Sequence, residues 1–255
     1  MSEMHCDALQ LYTVRDLTAK DFAGTMKKVA EVGYKFVELA GYGNLGNAKA
    51  VRKALDDAGL KACSGHYAID VLEKNVEQVI ADAQALEIDT VVCPFLPEDR
   101  RRDAKGYEAA AKSLETAGSA LHQYGIILGY HNHNFEFQNF GGKRGLDIIF
   151  ENTPPHLVIA EIDVFWVRYA GADPVEEINK LGERVRLLHL KDITDGSEKR
   201  FAPVGTGKID FKAVLAAARK NGVRWGIVEQ DRTYDATPLE AIKTSLENLK
   251  KLGAV

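Results

Sequence analysis

A chain of 255 residues with 45% hydrophobic and 27% charged side chains can bury a large core, and α/β barrels of about 250 residues commonly form one domain. The net charge of -4 argues against general affinity for a phosphate backbone, with Arg100, Arg101 and Arg102 a local exception. No stretch approaches the roughly 20 apolar residues of a membrane span, so neither a nucleic-acid nor a membrane partner is expected. Met1 to Asp7 is polar and carries Glu3 and Asp7; no secretory signal is visible there, and a cytoplasmic location is expected. Cys6, Cys63 and Cys93 are an odd set without CxxC spacing, which suits reduced thiols, with Cys63 and Cys93 packed in strands.

In chain order, short apolar runs alternate with amphipathic segments. Leu9 to Thr13 reads as a strand and Thr18 to Val32 as a helix stopped by Gly33. Strand Phe36 to Ala40 precedes a helix around Ala48 to Ala58, and Lys61 to His66 precedes one around Leu72 to Leu86. Thr90 to Phe95 is the fourth strand, followed by a helix from Ala104 to Tyr124. Ile126 to His133 is the fifth, then a short helix Leu146 to Glu151. Strand Leu157 to Asp163 leads to a helix around Pro174 to Leu181, and Val185 to Leu190 to Phe211 to Lys220. The last unit is Trp225 to Glu229 with Pro238 to Leu252. Runs such as LVIAEID and VRLLHL lack polar alternation, as parallel strands covered on their faces do. Eight strand-helix units predict one (β/α)8 TIM barrel over residues 1–255. An open doubly wound sheet is the runner-up, disfavoured because no GxGxxG follows the first strand. The longest loops, Asn139 to Gly145 and Thr194 to Thr206, fall on the strand-to-helix side, where barrels build their active sites.

Glu38, His66, His131, His133, Asp163, His189 and Glu229 all stand at or near strand ends, so a closed barrel would bring them to one rim. Asp163, His189 and Glu229 end three consecutive strands. Mixed imidazole and carboxylate ligands suit zinc, manganese, cobalt or iron better than calcium. For each residue alone there is a plainer role: an aspartate at a strand end caps the next helix, and a buried histidine is often only hydrogen-bonded.

The run GIILGYHNHNFEF, with EIDVFW, HLKD, PVGTGKID and VEQD, resembles the xylose-isomerase-like barrel superfamily of sugar phosphate isomerases and epimerases. The resemblance extends over nearly the whole chain, from LQLYTVRD through SGHY to the last strand. It implies one divalent metal ion (Mn, Zn, Co, Fe or Mg) held by a glutamate, an aspartate, a histidine and a second glutamate from strands five to eight. Asp163, His189 and Glu229 match the last three. At the first position this chain has His131 where the family has glutamate; Glu136, past the strand, resembles a substrate-contacting glutamate and competes as fourth ligand. In a strand, His131 and His133 would point the same way.

Family epimerases use metal-bound glutamates on opposite faces of the substrate, one removing and the other returning a proton through an enediolate. Here Glu229 is the expected base, and the opposite face would fall to His133 or Glu136. The leading expectation is a metal-dependent sugar isomerase or epimerase acting on a small sugar or polyol. The alternative is a keto-sugar or keto-inositol dehydratase or lyase, including cleavage of 3-keto-glycosides, because keto-inositol dehydratases of the superfamily also carry a histidine-rich segment at this strand. An abasic-site endonuclease and a metal-free scaffold are the remaining rivals. His66, Lys191 and Trp166 are candidate substrate contacts, against plainer roles as core histidine, surface lysine and helix-packing tryptophan. Gly205-Thr206-Gly207-Lys208 is either a phosphate cradle or a simple loop with Asp210 capping the next helix. A homo-oligomer is an open expectation, since such families often pair through barrel loops.

Overall fold

The computed structural model describes residues 4–255; residues 1–3 of the polar N-terminal segment lie outside the described part. Eight parallel strands close a barrel: β1 His5–Gln10, β2 Phe36–Leu39, β3 Lys61–His66, β4 Thr90–Cys93, β5 Ile127–His131, β6 Val158–Asp163, β7 Val185–Leu190 and β8 Trp225–Val228. Each pairs with its sequence neighbours. Closure is made by β1 on β8, with His5 opposite Trp225 and Leu9 opposite Val228. The fold class expected from the sequence is therefore the one observed. Among the described residues no helix is long and apolar enough to cross a membrane.

Two apolar clusters hold the barrel. The larger lies between the strands and the surrounding helices. The smaller, Ala8, Cys63, Ile159, Leu187, Trp225 and Ile227, plugs the barrel interior. Because side chains alternate along a strand, the residues two and four places beyond this plug also point inward. On β6 Ile159 is followed by Glu161 and Asp163; beyond Leu187 on β7 comes His189, then Lys191. The interior thus changes from hydrocarbon to ionisable groups within two residues of strand rise. All three cysteines are buried free thiols, on β1, β3 and β4.

Several boundaries differ from the sequence expectation, each for a local reason. Strand β1 begins four residues earlier than Leu9 and ends at Gln10, whose side chain accepts from the Tyr12 amide and turns the chain into a 3-10 helix, Leu11–Val14. The first helical run is broken in two, Arg15–Thr18 and Phe22–Val32, because Asp21 caps the second piece by accepting from Gly24 N at 2.9 Å. Asn75 divides Ile69–Lys74 from Val76–Leu86. A further helix, Val164–Tyr169, starts at Asp163 itself. The Arg100 to Arg102 cluster is partly consumed structurally: Arg100 pairs with Glu73 at 2.7 Å, and Arg101 donates to Leu96 O and lies 3.7 Å over the Phe135 ring.

The segment after β5 is held against the helix Ala104–His122 by close packing at Gly145, where a Cβ would stand 2.4 Å from Cζ of the buried Tyr107. Overpacking of this kind costs about 1–3 kcal/mol. Gly145→Ala is accordingly expected to lower the unfolding free energy by that amount, read as a lower midpoint of chemical denaturation with an unchanged slope; an unaltered midpoint would show that the Tyr107 ring yields freely.

Candidate active site

The ionisable layer opens at the C-terminal ends of the strands, where barrel enzymes place their chemistry. There a cavity of about 450 Å³ is walled by His131 and His133 on one side and by Lys191, Glu229 and Asp231 on another, with His66 on its floor. Tyr12 and Phe95, 43% and 44% exposed, offer aromatic faces at its mouth. A larger recess of about 770 Å³ lies around His5, Asp7, Lys35 and Arg219 at the opposite end. No grouping of three or more potential metal ligands lies there among the described residues, so chemistry rather than size selects the smaller cavity.

Four side chains at this rim bring one donor atom each within 4.8 Å of one another: His131, Asp163, His189 and Glu229. Their hydrogen bonds fix which atoms remain available. His131 Nδ1 lies 3.0 Å from Pro94 O. A carbonyl only accepts, so the proton sits on Nδ1 and Nε2 turns a lone pair toward Asp163 Oδ2 at 3.3 Å. His189 Nε2 lies 2.6 Å from Glu38 Oε1, and its Nδ1 is buried with no hydrogen-bond partner although Glu229 Oε2 is 2.7 Å away. Histidines that ligate a metal commonly donate their second nitrogen to a carbonyl or carboxylate in this way. Lone pairs facing carboxylate oxygens repel unless a positive charge stands between them, and this donor set fits a divalent ion of the zinc or manganese type.

Asp163 carries both roles weighed for it. Its Oδ1 caps Val164–Tyr169 by accepting from Trp166 N at 3.0 Å, while Oδ2 faces the cluster. Lys191, only 2% exposed, places Nζ 2.9 Å from Asp163 Oδ2, 2.7 Å from Glu229 Oε2 and 2.6 Å from Asp231 Oδ1. It is an internal counter-ion and not a surface lysine. Burial alone would raise the carboxyl pKa values, but Lys191 overcomes it and holds Asp163 down to about 2 and Glu229 well below its ordinary range. Burial, with the nearby ammonium of Lys191, pushes His133 down to about 2, so its imidazole is neutral.

A second group lies just below: Glu38, His66, Glu161 and His189. Register irregularities fall at Val37/Glu38 and at Ala160/Glu161, the kind of local strand distortion that re-aims a side chain. Glu38 Oε1 accepts from Gln10 Nε2 at 2.7 Å and Oε2 from Ser64 Oγ at 2.5 Å. His66 Nε2 is 3.0 Å from Glu161 Oε2 and 3.2 Å from Glu38 Oε1. Burial works against a charged His66, but the two carboxylates prevail and raise it to about 9. Glu161 was missed in the sequence; its signal was a charge two residues before Asp163 in an otherwise apolar strand, hence on the same face.

Three expected roles require correction. Glu136, expected as an alternative ligand and as an acid or base, belongs to neither group and does not wall the cavity. It is fully buried, accepting from Tyr130 OH at 2.6 Å and from His133 N at 2.8 Å, and burial raises it to about 7. Its place is under the loop that carries His133. Trp166 stands behind the cavity wall, 5.4 Å from the His133 ring, packed on Phe165 and Phe201. β5 ends at His131, so His133 lies in a loop and not in the strand; both rings still reach the cavity, 5.0 Å apart and edge to face.

The segment Gly205 to Ile209 is not a phosphate cradle. Asp192 accepts from Gly205 N and Gly207 N through Oδ2 and from Ile209 N through Oδ1. Thr206 N donates to Pro203 O and Lys208 N to Ile193 O, so every amide of the segment is engaged. A Cβ at Gly207 would lie 2.3 Å from Ile193 O, which explains the glycine, and Asp210 caps the next helix through Ala213 N.

A closed eight-stranded barrel with a histidine and carboxylate rim defines a class of enzyme scaffold. More narrowly, residues 26–252 match the xylose isomerase-like TIM barrel family, to which this chain belongs. An inosose dehydratase of Mesomycoplasma hyopneumoniae strain 7448 is 25% identical over 270 residues, covering 91% of this chain and 88% of that protein. A sugar phosphate isomerase/epimerase from Parabacteroides distasonis ATCC 8503 has the same fold, with a TM-score of 0.87 at 22% identity over 100% of this chain and 98% of that one. So has the zinc-binding IolI protein, with a TM-score of 0.73 at 16% identity over 96% of each chain.

Asp192→Ala strands four backbone donors, the amides of Ile193, Gly205, Gly207 and Ile209, each costing about 1–3 kcal/mol when left unpaired in a buried setting. Hydrogen exchange at Gly205, Gly207 and Ile209 is expected to accelerate at least tenfold in that variant. In the unaltered protein, millimolar inorganic phosphate is expected to leave those amides unchanged; protection by phosphate would restore the cradle.

Proposed function

We propose that this protein eliminates a β-substituent from a keto-sugar or keto-inositol, with one divalent ion held by His131, Asp163, His189 and Glu229. The observation that carries the reading is the one-sided arrangement of acids: Glu229 and Asp231, the carboxylates of the cavity wall, are tied together by Lys191, while the other walls present imidazoles. A proton shuttle between two carboxylates on opposite faces has no second carboxylate here, because Glu136 is buried elsewhere. Similarity to inosose dehydratases over nearly the full chain supports elimination over epimerisation.

The ion would supply electrophilic stabilisation of charge growing on the substrate carbonyl oxygen. Glu229 takes the proton from the carbon beside that carbonyl. The freed electron pair forms the new C=C bond, the C–O bond at the next carbon breaks, and the departing oxygen leaves with a proton as water or an alcohol. That proton is the one Glu229 took, handed back to the departing oxygen, while the neutral imidazole of His133 faces the cavity as a hydrogen-bond partner on the imidazole side. Lys191 keeps Glu229 ionised and ready to accept a proton, and Asp231 gives its ammonium a partner outside the ligand set. Tyr12 and Phe95 receive the apolar faces of the ring. The proposed partner is thus a small polyhydroxylated ketone.

Incubation with keto-inositols and 3-keto-glycosides is expected to give an ultraviolet-absorbing enone with loss of water or aglycone. Products of unchanged mass would instead establish epimerisation. Glu229→Gln removes the base at constant size, and its substrate C–H exchange in deuterated water is expected to fall by roughly 10²–10⁴-fold; exchange at the unaltered rate with metal bound would place the base elsewhere. Asp163→Ala and His189→Ala are each expected to lose the ion of this ligand set, one metal equivalent per chain, while keeping the helical circular dichroism. Full metal content in both would refute the ligand set.

A further inference from the structure

We infer that the lower group, Glu38, Glu161 and His66, is a second divalent-cation site, so that the barrel mouth holds two ions and not one. The inference rests on the ion proposed above and extends it. Glu38, Glu161, Asp163 and Glu229 are at most 5% exposed, and Asp231 adjoins them with its side chain 21% exposed. Among the described residues, Lys191 is the one lysine or arginine paired with any of them. One ammonium and one divalent ion answer three of the five negative charges, leaving two in a region where unpaired charge is strongly disfavoured.

The upper ion does not serve the lower pair. If His189 gives Nδ1 to the upper ion, its Nε2–H points at Glu38 Oε1, and His189 is then neutral. A proton on His66 would answer one charge more. It would still leave Glu161 Oε1, which is buried and reached by no hydrogen-bond donor, while Oε2 of the same carboxylate lies 3.0 Å from His66 Nε2. A fully buried glutamate with one oxygen unpartnered and the other facing a group whose donor atoms lie within 4.8 Å of one another is the local feature that a cation satisfies and a proton on His66 does not. Two carboxylates and one imidazole suit manganese, iron, cobalt or zinc. The lower ion would also anchor Glu38, which orients His189 toward the upper one.

The test is metal stoichiometry of the full chain, stripped with a chelator and reloaded with Mn²⁺, read by elemental analysis and by electron paramagnetic resonance. Two ions per chain are expected, with the broad spectrum of an exchange-coupled pair. Glu161→Gln and Glu38→Gln should each retain one ion and show the signal of an isolated Mn²⁺; Asp163→Ala should likewise retain one. A single ion in the unaltered chain that survives Glu161→Gln and Glu38→Gln but is lost in Asp163→Ala overturns the second site and leaves the first standing. A single ion that survives Asp163→Ala but is lost in Glu38→Gln overturns the upper site, and with it the pair. No bound ion overturns both. Should a glutamine variant fail to fold, the coupled or isolated spectrum of the unaltered protein decides alone.

Discussion

Carboxylates crowd the mouth of this barrel beyond what its own cations can balance, and much of the local structure follows from that excess. Lys191 is drawn fully inside to meet three of them. The imidazoles are oriented so that one nitrogen donates outward, His131 to Pro94 O and His189 to Glu38, and the other faces an acidic oxygen. Such an arrangement stores electrostatic energy that a small, highly charged ion releases, and it creates the low-dielectric setting in which developing negative charge on a substrate is stabilised most strongly.

The barrel supplies this crowding cheaply because it separates stability from chemistry along its axis. Ile159, Leu187, Trp225 and Ile227 fill the lower interior with hydrocarbon, and the helices cover the outer faces of the strands with a continuous apolar layer. The ionisable groups of the site stand at the last inward positions of several strands and in the loops just beyond them. Those loops are themselves tied down by buried acids with no catalytic part: Asp192 gathers the amides of Gly205 to Ile209, and Glu136 holds the backbone of His133. The rim is therefore rigid where its charges would otherwise drive it apart.

Much of this was legible in the sequence because the relevant signals are local or periodic. Apolar runs in eightfold alternation with amphipathic segments specify the barrel, and Asp163, His189 and Glu229 stand at strand ends that closure brings together. Where the sequence misleads, the deciding contact is tertiary. Gln10 ends the first strand through its own side chain, something no hydropathy pattern records. Glu136 has a catalytic residue type at a suggestive spacing, yet Tyr130 claims it from the adjacent strand. The glycines at 205 and 207 mimic an anion cradle, and only the carboxylate of Asp192 shows that the anion is internal. Glu161 was open to the simple rule that residues two apart on a strand share a face, but its apolar neighbours Ile159, Ala160 and Ile162 hide it in a run that reads as core.

On the proposed reading, a divalent ion at the rim answers this excess of buried acid. Diffraction data collected above and below the absorption edge of Mn²⁺ from crystals grown with that ion test it most directly. An anomalous peak bonded to His131 Nε2, Asp163 Oδ2, His189 Nδ1 and Glu229 Oε2 is the predicted result, with the Lys191 ammonium resting on Asp231. A map without a peak at that position, and with the ammonium still bridging Asp163 and Glu229, would contradict the account.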